Sequence, residues 1–348
     1  MNPTLALAFD QQALACDSLG SPFMARMMRC IPQVWPQAGF LSDRVEGMSG
    51  DLGPRGASVP LRVAGGLHAL VLADRAPDLS AVFAPHAVTD AELAWAIGQA
   101  LIGQDSFLSD WITTPPQTNE IGRSAVLMAA ASDLSARFAL PLVLSELGAS
   151  AGLNLWFDKY ALSVPGGQIG AIDSPIQLYP DWSGPSPAVA PIHIAARRGV
   201  DLHPLDPGTD GARLLAFTWA DQPERLSRLR AALAVASGGV VDAGDAADWL
   251  DARVALPVQG RLHLVFHTIA YQYFPSQTQA RIQTAMEAAG ARAHADAPLA
   301  WLGMEADGAG EGAAVTLRLW PGDVRLSLGR AGFHGQWVRW SGALGVGG

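Results

Sequence analysis

The chain predicts an α/β fold: a mostly parallel sheet flanked by helices, closed by an antiparallel hairpin and preceded by a helical region. Three observations lead there. After Pro141, five short apolar runs recur, each too short for a helix and separated by stretches of helical periodicity. Near the C-terminus, residues 314–320 and 324–332 alternate in period two about Pro321-Gly322-Asp323, the pattern of a hairpin. Before residue 140 the apolar spacing is helical.

Taken in order, Thr89 opens a capping box with Glu92 ahead of a helix carrying Leu93, Ile97 and Leu101, with Gly103 near its end. Residues 43–66 hold a Gly/Pro-rich loop without periodicity. Residues 119–138 read as a second strong helix, with Asn119 as its cap. The apolar runs follow at 142–147, 197–202, 239–244, 262–268 and 299–305. The first suits a strand buried on both faces. Between the runs lie helices. One has Pro223 in its first turn, Leu226, Leu229 and Leu233 on one face, and Gly238-Gly239 as its stop. A short helix covers 246–254, and another begins with a Ser276–Gln279 capping box and ends at Gly290. Residues 157–195, rich in Gly, Pro and Ser, form a β-excursion between strands one and two. The expected division is a helical cap domain, 1–115, and an α/β domain, 116–348. This layout resembles that of Rossmann-like methyltransferases.

Composition narrows the function. Of 348 residues, 49% are hydrophobic and 16% charged, so the chain folds around a large core. A net charge of −9 excludes a broad nucleic-acid footprint, and Arg197-Arg198 and Arg225, Arg228 and Arg230 read as solvated faces. Cys16 and Cys30 sit in apolar helical surroundings and read as buried thiols of a reducing compartment. The N-terminus has no basic region and meets Asp10 early, and no run approaches the roughly 18–20 apolar residues of a membrane span. The expectation is a soluble, cytoplasmic protein with a small-molecule substrate, without nucleic-acid, membrane or metal partners. His203 and Asp206 have a metal-like spacing, but two ligands do not make a site.

Residues 144–153, "LSELGASAGL", support two chemistries. As Gly148-x-Ser150-x-Gly152 they match a nucleophile elbow, with Asp245 and His334 following in the order a serine hydrolase needs. That fold would place strands before the elbow, whereas the preceding sequence here is helical. As Glu146-x-Gly148-x-Ser150-x-Gly152 they form a strand end and a small-residue loop that admits a nucleotide cofactor. The second reading makes linked demands that the sequence meets in order. Asp201 ends strand two, where it would take the ribose hydroxyls. Asp245 follows strand three, near the adenine, and strand four ends at His267, Tyr271 and Tyr273. Glu146 suits a cationic ligand, met directly or through water. A nicotinamide dinucleotide fits less well, because the acid arrives about 50 residues after the loop rather than about 20.

The stretches "QTNEIGRSA" (117–125), "ELGASAGLNL" (146–155), "GVDLHPLD" (199–206), "WADQPERLSRLRAA" (219–232), "GDA" (244–246) and "FHGQWVRW" (333–340) together resemble a bacterial domain-of-unknown-function family, number 2332. That family brings no activity with it. More distantly, the strand order resembles class I S-adenosylmethionine-dependent methyltransferases. This resemblance implies Glu146, Gly148, Ser150 and Gly152 around the methionine part, Asp201 at the ribose and Asp245 at the adenine. Ser150 stands where many members have glycine. No Asn/Asp-Pro-Pro-aromatic motif follows strand four, which argues against methylation of an adenine or glutamine amino group.

Transfer from a sulfonium asks the protein to align donor and acceptor and, where needed, to remove a proton. His267 is placed for a general base or a core histidine. Tyr271 and Glu305 join it as catalytic candidates, and Tyr273 as a substrate contact. Asn119, Glu120 and Arg123 stand near the strand-one loop, where Arg123 suits a carboxylate; a helix cap with a local Glu–Arg pair is the plainer account. His334, between tryptophans, reads as structural. The expected function is methyl transfer to a small molecule, with a serine hydrolase or a non-catalytic nucleotide-binding regulator as alternatives.

Overall fold

The structure, a computed structural model, describes residues 1–54 and 56–342. Two compact units divide the chain: Met1–Thr118 with Asp210–Ser227, and Asn119–Thr209 with the residues from Arg228 onward. The segment Asp210–Ser227, which the sequence reading left in the α/β domain, therefore belongs with the helical one.

The first unit is helical. Its core gathers Phe9, Met27, Leu41, Val63, Leu67 and Ile97, all inaccessible to solvent. The capping box forms as read: Thr89 Oγ1 accepts the Glu92 N–H, and the Glu92 carboxylate accepts the Thr89 N–H. Residues 43–66 are less irregular than their composition suggests. Helices Phe40–Glu46 and Val59–Leu72 enter that stretch from either side, the second with a proline in its first turn, where no donor is lost. Cys16 and Cys30 are free and buried, and burial pushes the Cys16 thiol up to about 11. The returning segment is bound by specific contacts. The Phe217 ring takes the space beside Gly65, where a Cβ would stand 2.5 Å from it. His68 Nδ1 meets Ala216 O at 3.1 Å, and Asp221 accepts from Ser21 Oγ and the Phe23 N–H.

The second unit is a mixed α/β structure. Its strands are β1 (Leu142–Leu147), β2 (Ala161–Val164), β3 (Gly167–Gly170), β4 (Gln177–Leu178), β5 (Asp181–Ser183), β6 (Ile194–Asp201), β7 (Val241–Ala243), β8 (Leu262–Thr268), β9 (Leu299–Glu305), β10 (Ala313–Trp320), β11 (Val324–Ala331) and β12 (Trp337–Trp340). Nine form one sheet in the order β5-β12-β11-β10-β9-β8-β1-β6-β7. From β7 to β9 all neighbours are parallel; β9 to β12 form an antiparallel meander. β1 and β8 are buried at every position, which is why apolar residues dominate them and why Ser145, Glu146, His263 and His267 are buried with them. The β-excursion supplies a small sheet, β3-β2-β4, and β5, which pairs parallel to β12 at the edge of the large sheet.

Helices Ala246–Arg253 and Ser276–Gly290 cover one face, packing on Leu147, Val200, Val265, Leu299 and Trp320. Burying each such side chain contributes roughly 1.5–3 kcal/mol. The Ser276–Gln279 capping box does not form; Gln279 Nε2 donates instead to the carbonyls of Tyr271 and Phe274, tying the helix to the turn before it. Arg197 and Arg198 lie on a strand, β6, and not on a helix face; Arg197 is largely buried against Asp158, while Arg198 pairs with Asp242 and keeps 42% of its side chain exposed.

Candidate functional site

The bend after β1 packs three left-handed residues into five: Gly148 (φ +71°), Ser150 (φ +53°) and Gly152 (φ +70°). Two glycines make this tolerable, and Ser150 is the strained member. The glycines also admit the protein's own side chains. A Cβ on Gly148 would stand 2.6 Å from Ala270 Cβ, and one on Gly152 would stand 2.7 Å from a Val241 methyl. Among the described residues, the bend spends its amides internally except that of Ala151. Gly148 and Ala149 N–H donate to Val200 O, Ser150 N–H to Asp201 Oδ2, Gly152 N–H to Ala149 O and Leu153 N–H to Asn119 Oδ1. A loop that cradles a pyrophosphate needs such amides free.

Side-chain capacity remains. Glu146 is 2% exposed, and its Oε2 has no hydrogen-bond partner; nor has the Ser150 hydroxyl. Burial first, then the nearby Asp201 charge, push the Glu146 carboxyl well up, against the opposing pull of Arg123 and an Asn154 hydrogen bond. Asp201 adjoins the bend, accepting from Ser150 N–H at 2.8 Å and His203 N–H at 2.9 Å. Gly244 N–H donates to Asp201 O, which brings the neighbouring Asp245 to the same edge. Asp245 caps the helix Ala246–Arg253, with Oδ1 taking the Ala247 and Asp248 N–H groups. The cofactor residues named from sequence thus gather along the carboxyl ends of β1, β6 and β7.

The segment before that edge behaves differently from its reading. Asn119 caps no helix of its own: residues 121–123 form a 3₁₀ turn, the α-helix begins at Ser124, and Asn119 Oδ1 serves Leu153 across the bend. Glu120 accepts from Gly122 N–H. Arg123 donates to the carbonyls of Phe333 and Thr268, bracing two loops. His334 lies in the turn before β12, its carbonyl close to Gly122. Asp245 is engaged as a cap, and Ser150 Oγ makes no hydrogen bond, so the structure does not join Ser150, Asp245 and His334 into a hydrolase triad.

A second constellation stands at the ends of β8 and β9. His267 Nδ1 meets Glu305 Oε1 at 2.7 Å; their side chains are 6% and 17% exposed. The same carboxylate accepts from the Ala270, Tyr271 and Gln272 N–H groups, so it organises the whole turn after β8. Burial would raise the Glu305 carboxyl, but the His267 bond and these amides outweigh it and hold it below the usual range. Tyr271 stacks on His267 at 4.7 Å, its hydroxyl donating to Gln279 O, and Trp301 meets both rings edge-on at 6.0 Å. Beside them opens a cavity of about 620 Å³, lined also by Thr316, Arg318 and Ser327. Tyr273, named as a substrate contact, is 74% exposed and does not line it. The turn touches the bend through Ala270 and Phe274 and the cavity through Tyr271. Among the described residues, no group of three or more His, Cys, Asp or Glu is placed to hold a metal, and no helix is long and apolar enough to cross a membrane.

A large, mostly parallel sheet with helices, carrying polar residues at the carboxyl ends of its central strands, defines the class: a mixed α/β protein. The chain belongs to the bacterial family described as "Uncharacterized protein conserved in bacteria (DUF2332)", whose model matches residues 6–340. No curated protein and no solved structure matches it.

Proposed function

We propose that the protein binds S-adenosylmethionine at the bend after β1 and transfers its methyl group to a small molecule. The observation that carries this reading is the buried, unpartnered Glu146 Oε2 beside a bend most of whose amides are already spent. Such a bend suits an adenosine ligand without phosphates and with a cationic end. The strand order supports it. In chain order, the five parallel strands lie 3-2-1-4-5, and doubly wound sheets bind ligands where that order reverses, here between β1 and β8.

The residues present fit the cofactor. Glu146 and Ser150 would meet its methionine part, directly or through water, Asp201 the ribose, and Asp245 the adenine with the oxygen that caps no amide. When bound, the cofactor supplies a methyl group already activated on a sulfonium sulfur. The chain's own work is to hold the two ligands in line and to exclude water. An ionised Glu146 would pair with the ligand's positive charge, a pull opposite to the burial that pushes this carboxyl up. Glu305 and His267 fix the turn whose Ala270 and Phe274 close on Gly148; in this reading they are positioning residues.

Titration calorimetry with S-adenosylmethionine and S-adenosylhomocysteine tests the reading. Both are expected to bind saturably. Glu146→Gln should weaken S-adenosylmethionine by about tenfold or more, the loss of one charge-assisted contact. Absence of binding at millimolar concentration, or preference for a nicotinamide dinucleotide, defeats it. Production of S-adenosylhomocysteine with a pool of acceptors then separates a transferase from a regulator that only binds.

A further inference from the structure

We propose that the cavity beside His267 is a small-molecule site of its own, taking a neutral, flat ligand that donates a hydroxyl hydrogen to His267 Nε2. The proposal does not depend on the methyl donor.

The first argument is the fixed tautomer. Glu305 is held as a carboxylate by three backbone N–H groups, so it can only accept, and His267 must donate to it through Nδ1. In the neutral ring, Nε2 then carries a lone pair. The only hydrogen bond His267 makes among the described residues is the one through Nδ1, which leaves Nε2 for the cavity. A second argument comes from Gly303. It pairs abreast of His267 on β8 and Thr316 on β10, and a Cβ there would stand 2.9 Å from the imidazole and 3.3 Å from Thr316 Oγ1. A glycine in mid-strand costs stability, and here it leaves room for the ring. The ladder of β10 is also irregular at this level, with a register shift between Val315 and Thr316.

The charges lining the cavity select the ligand class. Glu305 is bonded as above, Asp307 pairs with Arg330, and Arg318 pairs with Asp323 and Glu287. Arg325 lies within 4.0 Å of both Glu287 and Asp323. Apart from Arg325, whose side chain is 67% exposed and only loosely met, each charge is already paired inside the protein, so a charged group beside His267 gains little. What remains is aromatic surface on Tyr271 and Trp301, the hydroxyls of Thr316 and Ser327, and one strong acceptor. The volume, about 620 Å³, lies in the range of sites for small organic molecules. The cavity opens beside the helix Ser276–Gly290, whose Gln283 lines it, and residues 306–312 join β9 to β10 without a further helix.

Phenol derivatives test this on the full chain without cofactor at about pH 8, above the ordinary range of an imidazole and below that of an unactivated phenol. 4-Cresol should bind saturably by titration calorimetry, and 4-methylanisole, which lacks the donor, about tenfold more weakly or worse. 4-Methylbenzoate should bind no tighter than the phenol. His267→Phe should erase the preference for the phenol over the anisole. Ser327→Tyr, on an exposed strand position, should block both ligands without touching the His267–Glu305 pair. Absence of saturable binding overturns the proposal, as do equal affinities for phenol and anisole, a preference for the benzoate, or binding that neither variant changes.

Discussion

Burial acts first on both Glu146 and Glu305 and would raise both carboxyls, yet they end on opposite sides of the usual range. Around Glu305 the His267 ring and backbone N–H groups outweigh burial; around Glu146 the Asp201 charge adds to it. The signs of their pH dependence therefore differ. A raised carboxyl gives stability that is complete below its unfolded pKa and is lost as pH rises through the folded one. Glu146→Gln should leave the protein as stable as wild type near pH 4 and more stable at pH 8, read by denaturant unfolding at both. Glu305 contributes above its unfolded pKa and loses that contribution in acid. Glu305→Gln should cost about 2–4 kcal/mol at neutral pH, since it removes the charge several donors face, and the loss should shrink as pH falls. His263, buried against Ser145 and Arg253, is pushed down to about 3 and stays neutral. It adds to acid destabilisation from about pH 6.5 downward, where the unfolded chain takes up the proton.

At the scale of elements, the contact between the bend and the turn after β8 depends on Gly148. Gly148→Ala should cost more than about 2 kcal/mol, because the new methyl both strains a left-handed residue and meets Ala270. It should also broaden the amide NMR signals of residues 269–274; an unchanged spectrum counts against that coupling. The central strands were readable in the sequence because burial on both faces leaves short, mostly apolar runs, and β8 and β9 match their readings residue for residue. The terminal hairpin was readable from period-two alternation and its Pro-Gly-Asp turn. Caps were readable only where nothing competed: Thr89 faced solvent and capped, whereas Asn119 and Gln279 found partners distant in sequence or across a turn. The same limit applies to the site. Glu146, Asp201, His267 and Glu305 stand out by residue type at strand ends. That Glu305 binds His267, that Arg123 braces carbonyls and that Tyr273 faces water are consequences of register and loop path.

For the molecule as a whole, the division into units depends on contacts that no local pattern announces. Asp210–Ser227 carries Phe217 onto Gly65, Ala216 onto His68 and Asp221 onto the start of the helix Pro22–Cys30. A fragment of residues 1–118 should therefore fail to fold cooperatively, exposing apolar surface to a hydrophobic dye; a sharp thermal transition in that fragment contradicts this. The same return path sets a schedule during protein synthesis. When residue 118 leaves the ribosome, the helical core still lacks a wall that is translated about a hundred residues later. At roughly 5–20 residues per second the nascent chain waits on the order of ten seconds with that flank bare. For that interval the growing polypeptide is a client for whatever shields sticky chains at the exit tunnel.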